Sequence, residues 1–368
     1  MQALILAGGE GTRLRPLTST IPKPVVPLVN RPFIVYMLEW LRGHGVDDVI
    51  LSCGFMADAV RAVLGDGAEL GISLRYLEEP RPLGTGGALK FAQELLDERF
   101  FMLNGDVLTD VDLSAQLEQH ERTGARATLA LVEVDNPSAY GLVRLDGDGA
   151  VREFVEKPDA EEVDTNLINA GAYILQRDAL EAMPPAGTTV SIEREVFPRL
   201  VGAGLFGYPA SGYWLDIGTP ARYLQGTYDI LEANVATEMG WQLSESSRPR
   251  IAAAANVEGR VVAPSLVADR CEVVAGAIVG GRTVLGPGAM VGRGAHVEGS
   301  VLLAGARVGA RSVIRSAIIG AGAHVGDHCH IEGGVVLGEA VKVGSGNVLM
   351  AGARIFPGVD LPDGAIKF

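Results

Sequence analysis

The sequence predicts an α/β chain with two architectures in series: a doubly wound, Rossmann-like mixed sheet, then a left-handed parallel β-helix. Strand-like and helix-like segments alternate through residues 1–235, which is typical of a sheet with right-handed crossovers. Aliphatic residues then recur at every sixth position, a period that fits neither a helix nor an ordinary strand. We therefore predict domains at residues 1–235 and 256–368, joined by a linker at residues 236–255.

The first element is a short apolar run at residues 3–6, which predicts a strand buried on both faces. Gly8, Gly9 and Gly11 follow it, and glycines let the backbone turn sharply and approach a ligand closely. Successive backbone N–H groups in such a turn form a concave anion site. Arg13 and Lys23 add two cations, so this loop is suited to holding a triphosphate.

The next segments continue the alternation of strands and helices. Strands are predicted at residues 49–52, 73–77, 100–103 and 128–134, and helices at residues 33–41, 57–64, 88–96 and 113–121. Ligands bind beyond the carboxyl ends of strands in sheets of this kind. Besides the glycine-rich loop, residues 78–87 and 104–106 are therefore candidate ligand segments.

From Tyr140 onward the pattern changes to short β segments at residues 141–145, 151–155 and 172–175. They predict a more antiparallel half that could hold a second substrate. Helices are predicted at residues 191–200 and 220–233, and the polar, Pro-containing residues 239–250 favour a linker.

The C-terminal third is a hexapeptide repeat with two slips of phase. Its aliphatic positions are Val261, Val267, Val273, Val279, Leu285, Val291, Val297, Leu303, Val308, Ile314, Ile319, Val325, Ile331, Leu337, Val343, Leu349 and Ile355. One inward aliphatic residue on each of three short strands gives a coil of about eighteen residues, so we expect between five and six coils.

The composition excludes several classes of protein. A net charge of −14 without a long Lys/Arg run argues against nucleic-acid binding. Three widely separated cysteines, Cys53, Cys271 and Cys329, form no disulfide framework and indicate a reducing, cytoplasmic environment. The N-terminal apolar run is too short for a signal or a spanning segment, so no membrane partner is expected.

The string Gly8-Gly-x-Gly-Thr-Arg-Leu-x-Pro-Leu-Thr18, followed by Pro22-Lys-Pro24, resembles the signature of the sugar-nucleotide pyrophosphorylases. Among these nucleotidyltransferases, the guanylyltransferases that act on mannose-1-phosphate and make GDP-mannose are most similar. The resemblance implies that a sugar-1-phosphate attacks the α-phosphorus of a nucleoside triphosphate with the help of Mg²⁺, and that pyrophosphate leaves.

The resemblance also implies roles for particular residues. Catalytic roles fall to Arg13, Lys23 and Asp106, and the metal ligands are Asp106 and Asp216. The nucleotide-binding positions are Leu6, Ala7, Gly8, Gly9, Gly11, Thr12, Arg13, Lys23, Glu79, Gly84, Thr85 and Asp106. The sugar-phosphate positions are Gly141, Glu156, Lys157, Asn169 and Asp216. Arg15 could assist the triphosphate site or lie at the surface.

Glu79 bears on the choice of base because relatives that use thymidine or uridine triphosphate carry Gln there. An ionised carboxylate only accepts hydrogen bonds. Guanine presents N1–H and its amino group side by side, whereas thymine and uracil present one donor flanked by acceptors. Glu79 therefore favours GTP, unless it is solvated and backbone groups read the base.

Other interpretations stay open at this point. The base could be thymine, uracil or adenine, and Gly86-Gly87-Ala88 differs from the Ala-Gly-Pro of many guanylyltransferases, which leaves the sugar undecided. The chain could be a non-catalytic regulatory homologue that binds a sugar nucleotide. The cluster of His324, His328, Cys329 and His330 could indicate a metal site or an acyltransferase, although turn and surface positions are favoured. The β-helix is expected to form a homo-oligomer.

Overall fold

The structure is a computed structural model that describes residues 1–54, 56–181 and 183–367. The chain divides into two compact units. We call the first, Met1–Gly9 with Met37–Trp214, the sheet unit, and the second, Glu10–Tyr36 with Leu215–Phe368, the β-helix unit. Residues 10–36 and 215–235, which lie within the first domain predicted from the sequence, group with the β-helix in this division.

The elements that precede the repeat follow the predicted alternation closely. In chain order they are β1 (Gln2–Ala7), β2 (Pro27–Leu28), β3 (Arg31–Pro32), α1 (Phe33–Gly43), β4 (Asp48–Cys53), α2 (Ala57–Leu64), β5 (Ser73–Glu78), α3 (Gly84–Ala92), β6 (Arg99–Asn104), β7 (Val107–Thr109), α4 (Leu113–Thr123), β8 (Ala127–Glu133), β9 (Gly141–Leu145), β10 (Val151–Glu156), β11 (Leu167–Gln176), α5 (Phe197–Leu200), β12 (Leu205–Pro209), β13 (Trp214–Asp216), α6 (Pro220–Leu231) and α7 (Glu238–Ser244).

The sheet unit is built on a nine-stranded mixed sheet in the order β10-β9-β11-β6-β1-β4-β5, with β8 pairing β11 and β12. Strands β6, β1, β4 and β5 run parallel, whereas β11 is antiparallel to β6, β8 and β9. β1 lies between two parallel neighbours, and its residue Leu4 pairs with Ile50 and Met102. This central position explains the continuous apolar run, and the predicted mixed α/β sheet is confirmed.

Helix α3 begins four residues earlier than predicted, at Gly84 rather than Ala88. Gly84 has a left-handed backbone (φ 72°), and the glycines that follow form the first helical turn. The predicted helix at residues 191–200 is a π-helical turn, Ile192–Val196, followed by the short α5. Sequence periodicity missed both details because they depend on how these segments pack together.

The repeat forms three parallel sheets, as in a left-handed parallel β-helix. The first holds β14 (Arg250–Ile251), β17 (Ser265–Val267), β20 (Thr283–Leu285), β23 (Val301–Leu302), β26 (Ile318–Ile319), β29 (Val336–Leu337) and β32 (Arg354–Ile355). The second holds β15 (Asn256–Val257), β18 (Glu272–Val273), β21 (Met290–Val291), β24 (Arg307–Val308), β27 (His324–Val325), β30 (Lys342–Val343) and β33 (Asp360–Leu361). The third holds β16 (Arg260–Val261), β19 (Ile278–Val279), β22 (His296–Glu298), β25 (Val313–Arg315), β28 (His330–Glu332) and β31 (Val348–Leu349).

The interior of the prism is the predicted column of aliphatic residues, with one correction. Leu302, not Leu303, faces the core and pairs with Leu285 and Ile319. Leu303 is also buried but lies outside this core. Consecutive coils at these pairs are seventeen residues long, so the slip of phase falls one hexad earlier than predicted. The slip was misplaced because adjacent leucines satisfy a hydrophobic pattern equally well.

The sheets contain seven, seven and six strands among the described residues, which is more than the five to six coils expected. The additional strands are β14 and β15, which precede the hexad pattern, and β33, which follows it, and all three are more exposed than the central coils. The predicted linker region also contains α7, whose N-cap Thr237 accepts a hydrogen bond from Gly240 N at 2.9 Å. In the parts of the chain that the structure describes, no helix combines the length and apolar character needed to cross a membrane.

Candidate active site

The carboxyl ends of β1, β4 and β5 meet around Gly8, the first glycine of the signature. A Cβ atom on Gly8 would lie 3.0 Å from Oε1 of Glu79, and one on Gly54 would lie 2.9 Å from the carbonyl oxygen of Gly8. The Glu79 amide donates to the carbonyl of Cys53 at 2.9 Å, which extends the β4–β5 pairing. Glycine is needed at position 54 because a backbone oxygen lies this close, whereas a side chain at position 8 would displace the Glu79 carboxylate.

The half-buried Glu79 carboxylate is held by two hydrogen bonds. The Ser52 hydroxyl donates to Oε1 at 2.9 Å, and the Leu83 amide donates to Oε2 at 3.1 Å. Each carboxylate oxygen has two lone pairs, so both oxygens can still accept one further hydrogen bond. The sequence did not point to Ser52, because a small polar residue within an apolar strand carries no motif.

Thr85 was predicted to bind nucleotide, yet its hydroxyl contacts protein groups. It donates to Oε2 of Glu193 at 2.7 Å and accepts from the Ile192 amide at 3.0 Å. The neighbouring glycines make room for residues 188–193: a Cβ on Gly84 would lie 2.6 Å from the Val190 carbonyl oxygen. The first turn of α3 therefore holds this segment.

Asp106 lies two residues after the end of β6 and next to the end of β1. The Gly105 amide donates to the carbonyl of Leu6 at 2.9 Å, and a Cβ on Gly105 would lie 2.6 Å from that oxygen. This close approach places the half-buried Asp106 beside the strand that leads into the glycine-rich loop.

Gly141 and Glu156 lie together on the paired strands β9 and β10. A Cβ on Gly141 would lie 2.9 Å from Oε2 of Glu156. Burial raises the pKa of Glu156, the nearby Glu193 carboxylate adds to the rise, and Lys157 opposes it. Lys157 is exposed with a left-handed backbone (φ 55°), and its amide donates to the Tyr140 carbonyl at 3.0 Å.

Asn169 lies at an irregularity in β11, where the pairing with β8 shifts register. Its Nδ2 donates to the hydroxyl of the fully buried Tyr173 at 2.8 Å, and its Oδ1 accepts from the Gly171 amide at 3.1 Å. Trp214 Nε1 donates to the Ala170 carbonyl at 2.8 Å, and the Trp214 ring packs edge-on against Tyr140. The sheet unit thus brings three predicted sugar segments to neighbouring strands, β9, β10 and β11.

The β-helix unit contains the rest of the signature. Gly11 has a left-handed backbone (φ 62°) and precedes a 3₁₀ turn at Thr12–Leu14. The Thr18 hydroxyl donates to the Gly11 carbonyl at 2.7 Å, and a Cβ on Gly11 would lie 3.2 Å from the Cβ of Lys23. The loop therefore folds back on itself, so that Gly11 lies next to Lys23.

Asp216 lies beside Arg13 in the β-helix unit. A Cβ on Gly218 would lie 2.9 Å from Nη2 of Arg13 and 3.0 Å from Oδ2 of Asp216. Arg222 forms an ion pair with Asp216 at 2.8 Å, and the Asp216 side chain is only 13% exposed. Arg15, whose role was open, pairs with Glu10 at 3.0 Å.

The described residues contain no group of three or more His, Cys, Asp or Glu side chains that could hold a metal ion. Such a cluster is not required for Mg²⁺, which often uses one or two carboxylates together with phosphates and water. Asp106 in the sheet unit and Asp216 in the β-helix unit each carry a carboxylate, the type of hard oxygen ligand that this ion prefers. The chemistry of each carboxylate therefore suits a magnesium ion that binds together with a nucleotide.

The histidine cluster of the repeat does not converge on one point. Cys329 is buried, and its Sγ lies 3.1 Å from the Gly344 carbonyl oxygen. His324 and His330 belong to different sheets, and both are exposed, as is His328. These are the turn and surface positions that the sequence favoured.

A Rossmann-like mixed sheet with a Gly-Gly-x-Gly-Thr-Arg loop after its central strand, joined to a hexapeptide β-helix, defines a nucleotidyltransferase. The chain belongs to the nucleotidyl transferase family, whose model matches residues 2–233. Residues 261–363 match the family model described as GMPPB C-terminal domain.

The similarity to known mannose-1-phosphate guanylyltransferases extends over the whole chain. The chain is 39% identical to the mannose-1-phosphate guanylyltransferase of Mycobacterium tuberculosis, covering 100% of this chain and 98% of the relative. It is 35% identical to the probable mannose-1-phosphate guanylyltransferase 3 of Oryza sativa, covering 100% of this chain and 99% of the relative.

Among solved structures, HddC from Yersinia pseudotuberculosis shares 32% identity with this chain and has a TM-score of 0.54, covering 61% of this chain and 97% of HddC. HddC has also been solved in complex with GMP-PN. Nucleotidyltransferases of this family generally use a divalent metal ion.

Proposed function

We propose that this enzyme transfers a guanylyl group from GTP to mannose-1-phosphate. An oxygen of the sugar phosphate attacks the α-phosphorus, the bond to the β-phosphate breaks, and GDP-mannose and pyrophosphate form. The names of relatives that match the full length support this reaction. The observation that carries the choice of base is the restrained carboxylate of Glu79.

Glu79 would read guanine because its two oxygens can accept from N1–H and the 2-amino group together. Ser52 holds one carboxylate oxygen and Leu83 the other, and each oxygen keeps a second lone pair that a base could use. Thymine and uracil offer a single N–H between two carbonyls, which would face a second negative oxygen. Fixing the carboxylate in advance lowers the entropic cost of recognition.

Arg13, Lys23 and the N–H groups of the glycine-rich loop would bind the triphosphate. Phosphoryl transfer requires positioning and charge neutralisation rather than covalent catalysis. Cations near the β- and γ-phosphates would stabilise the pyrophosphate as it departs. The Asp216 carboxylate beside Arg13 would restrain that guanidinium.

Asp106 and Asp216 would hold Mg²⁺, which supplies further neutralisation of phosphate charge. On the sugar side, Glu156 and Asn169 would bond hydroxyl groups, and Lys157 would contact the sugar phosphate. The absence of a side chain at Gly141 would leave space for the ring, since a Cβ there would already crowd Glu156.

The proposal is tested by pyrophosphate release with GTP, dTTP, UTP, ATP and CTP, each paired with mannose-1-phosphate or glucose-1-phosphate in the presence of Mg²⁺. We expect the combination of GTP and mannose-1-phosphate to dominate. The Lys23→Ala variant serves as the inactive control, with Lys342→Ala as a matched control on the exposed surface of β30. A dominant dTTP or UTP signal would overturn the assignment of the base, and tight product binding without turnover would favour a regulatory homologue.

We also propose that the enzyme acts in the cytoplasm as a homo-oligomer. Its three free cysteines are buried, and the last coils of the β-helix expose Met350, Phe356 and Val359. Light scattering coupled to gel filtration tests the oligomeric state, and a monomer at assay concentrations would contradict it.

A further inference from the structure

We propose that the β-helix positions the signature loop for catalysis through Arg354, in addition to any role in assembly. Arg354 lies on β32, in the last coil of its sheet. It lies 339 residues after Arg15 in the sequence, and no sequence motif connects the two. Its side chain nevertheless contacts the loop that carries Arg13.

The contact is made by one nitrogen and two backbone carbonyls. Nη1 of Arg354 donates to the carbonyl oxygen of Arg13 at 3.1 Å and to that of Arg15 at 3.0 Å. These carbonyls lie on either side of Leu14, whose side chain is buried. The Arg354 guanidinium therefore holds the loop backbone at Arg13. The Arg13 side chain lies beside Gly218 and Asp216.

A second, independent contact joins the same segment to the β-helix. Nδ2 of Asn30 donates to the carbonyl of Leu285 at 3.0 Å. The Tyr223 hydroxyl of α6 donates to the carbonyl of Pro27. Residues 10–36 accordingly form one compact unit with the C-terminal part of the chain. Residues 10–36 are therefore held at Pro27, at Asn30 and at the carbonyls of Arg13 and Arg15, and of these contacts only that of Arg354 falls on the signature loop.

The regular structure of the loop is limited to short 3₁₀ turns at Thr12–Leu14, Leu17–Ser19 and Lys23–Val25. The first turn is closed by hydrogen bonds from Leu14 N to Gly11 O and from Arg15 N to Thr12 O. Hydrogen bonds from a charged donor are shorter and stronger than neutral ones. A cation that holds the carbonyls of Arg13 and Arg15 would restrict the positions available to Arg13. Small errors in the position of a catalytic group reduce rates strongly.

Arg354 is exposed, so its loss should leave the β-helix core intact. The test compares Arg354→Ala, Arg354→Lys and the control Arg307→Ala, which removes an equally exposed arginine from β24. All three variants are measured by hydrogen exchange at residues 8–20 and by steady-state kinetics with GTP and mannose-1-phosphate. The kinetic part rests on the proposed function, whereas the exchange part does not.

For Arg354→Ala we expect faster exchange of the Leu14 and Arg15 amides and unchanged exchange in the β-helix. We expect kcat to fall by about tenfold to a hundredfold, on the scale of the rate loss that a slight misplacement of a catalytic group causes. The KM for the sugar phosphate should change less than twofold, on the order of experimental error. Arg354→Lys should recover part of both effects, because one nitrogen makes both contacts.

If the hydrogen exchange rates and the kcat of Arg354→Ala equal those of Arg307→Ala, the proposal is overturned. If exchange accelerates while no substrate pair gives turnover even in the unaltered enzyme, the positioning contact stands and the proposed substrates are wrong. If Arg354→Ala slows catalysis with unchanged exchange, the residue acts in some other way and positioning is excluded.

Discussion

The Ser52 hydroxyl donates a 2.9 Å hydrogen bond to Oε1 of Glu79, across the neighbouring strands β4 and β5. Together with the Leu83 amide, it fixes the orientation of a carboxylate at the carboxyl edge of the sheet. An acceptor that is fixed in this way can distinguish bases by the donors they present. Under the proposed function, the choice of base depends on whether position 79 is acidic.

Replacing Glu79 by Gln tests this directly. The amide replaces one acceptor with a donor, so one of the two hydrogen bonds to guanine is lost and its amino group faces another donor. We expect kcat/KM for GTP to fall by about tenfold or more relative to UTP and dTTP. Competition assays with mixed nucleotides measure the ratio. The adjacent, exposed Glu78→Gln serves as the control, and an unchanged base profile for Glu79→Gln would remove Glu79 from base recognition.

Gly218→Ala tests the grouping of Arg13 with Asp216. The new methyl group would lie 2.9 Å from Nη2 of Arg13 and 3.0 Å from Oδ2 of Asp216, closer than normal contacts. Both atoms are at the ends of side chains, so the side chains should move while the fold persists. We expect kcat to fall by roughly tenfold with little change in Tm. Gly147→Ala is the control because its methyl group would meet nothing within 4 Å, and equal kcat in both variants would contradict the grouping.

Glu193→Gln tests the electrostatic coupling of Glu193 to Glu156. Burial is the main reason that the pKa of Glu156 is raised, and the Glu193 charge is the second. Removing that charge should lower the pKa of Glu156 towards its ordinary value, so the ionised form persists to lower pH. If ionised Glu156 binds the sugar, the acidic limb of the kcat/KM profile for mannose-1-phosphate should move to lower pH. Gln retains the size of the side chain and its contact with Thr85, and Glu195→Gln provides an exposed control. An unshifted limb would contradict the prediction that Glu156, coupled to Glu193, sets the acidic limb.

The buried His120 should make the free energy of unfolding depend on pH. Burial, together with the charge of Arg99, lowers its pKa to about 4 from the ordinary 6.5. The neutral ring bonds the Thr128 hydroxyl through Nδ1 and Gln176 through Nε2. Between these pKa values the unfolded chain binds a proton that the folded chain does not, so stability falls as pH decreases. We expect a loss of about 2 kcal/mol from this group between pH 7.5 and 5.

Urea unfolding of the wild type and of His120→Gln at both pH values measures this loss. The variant should be less stable at pH 7.5, because the buried ring no longer fills its site, but it should lose less stability on acidification. His328→Gln is the control, since that ring is exposed. Equal losses in the wild type and in His120→Gln would contradict the assignment.

The local pattern was enough to predict most elements. The apolar residues of β1 indicated a strand buried on both faces, and it lies between two parallel neighbours. The hexapeptide period indicated three parallel sheets, and the structure contains them. A period of six identifies the inward-facing residue of each short strand from the local sequence alone. Only at the slip of phase did the pattern choose Leu303 where Leu302 faces the core, since both leucines fit.

The partners of the candidate site residues could not be predicted in the same way. Ser52 and Glu79 are 27 residues apart, Thr85 and Glu193 are 108 apart, and Arg354 and Arg13 are 341 apart. Hydrogen bonds at such separations depend on register and on the close approach of backbones at glycines. No local period records these quantities.

The residue types and their order therefore established the two architectures, the nucleotidyltransferase signature and the acidic position 79. Those features depend on short-range periodicity and on side-chain chemistry, and both can be read along the chain. Tertiary packing decided which groups hold Glu79, which residues surround Asp216, and that residues 10–36 group with the β-helix. Folding alone brings distant backbone carbonyls and side chains within hydrogen-bonding distance, so these contacts have no counterpart in the linear sequence.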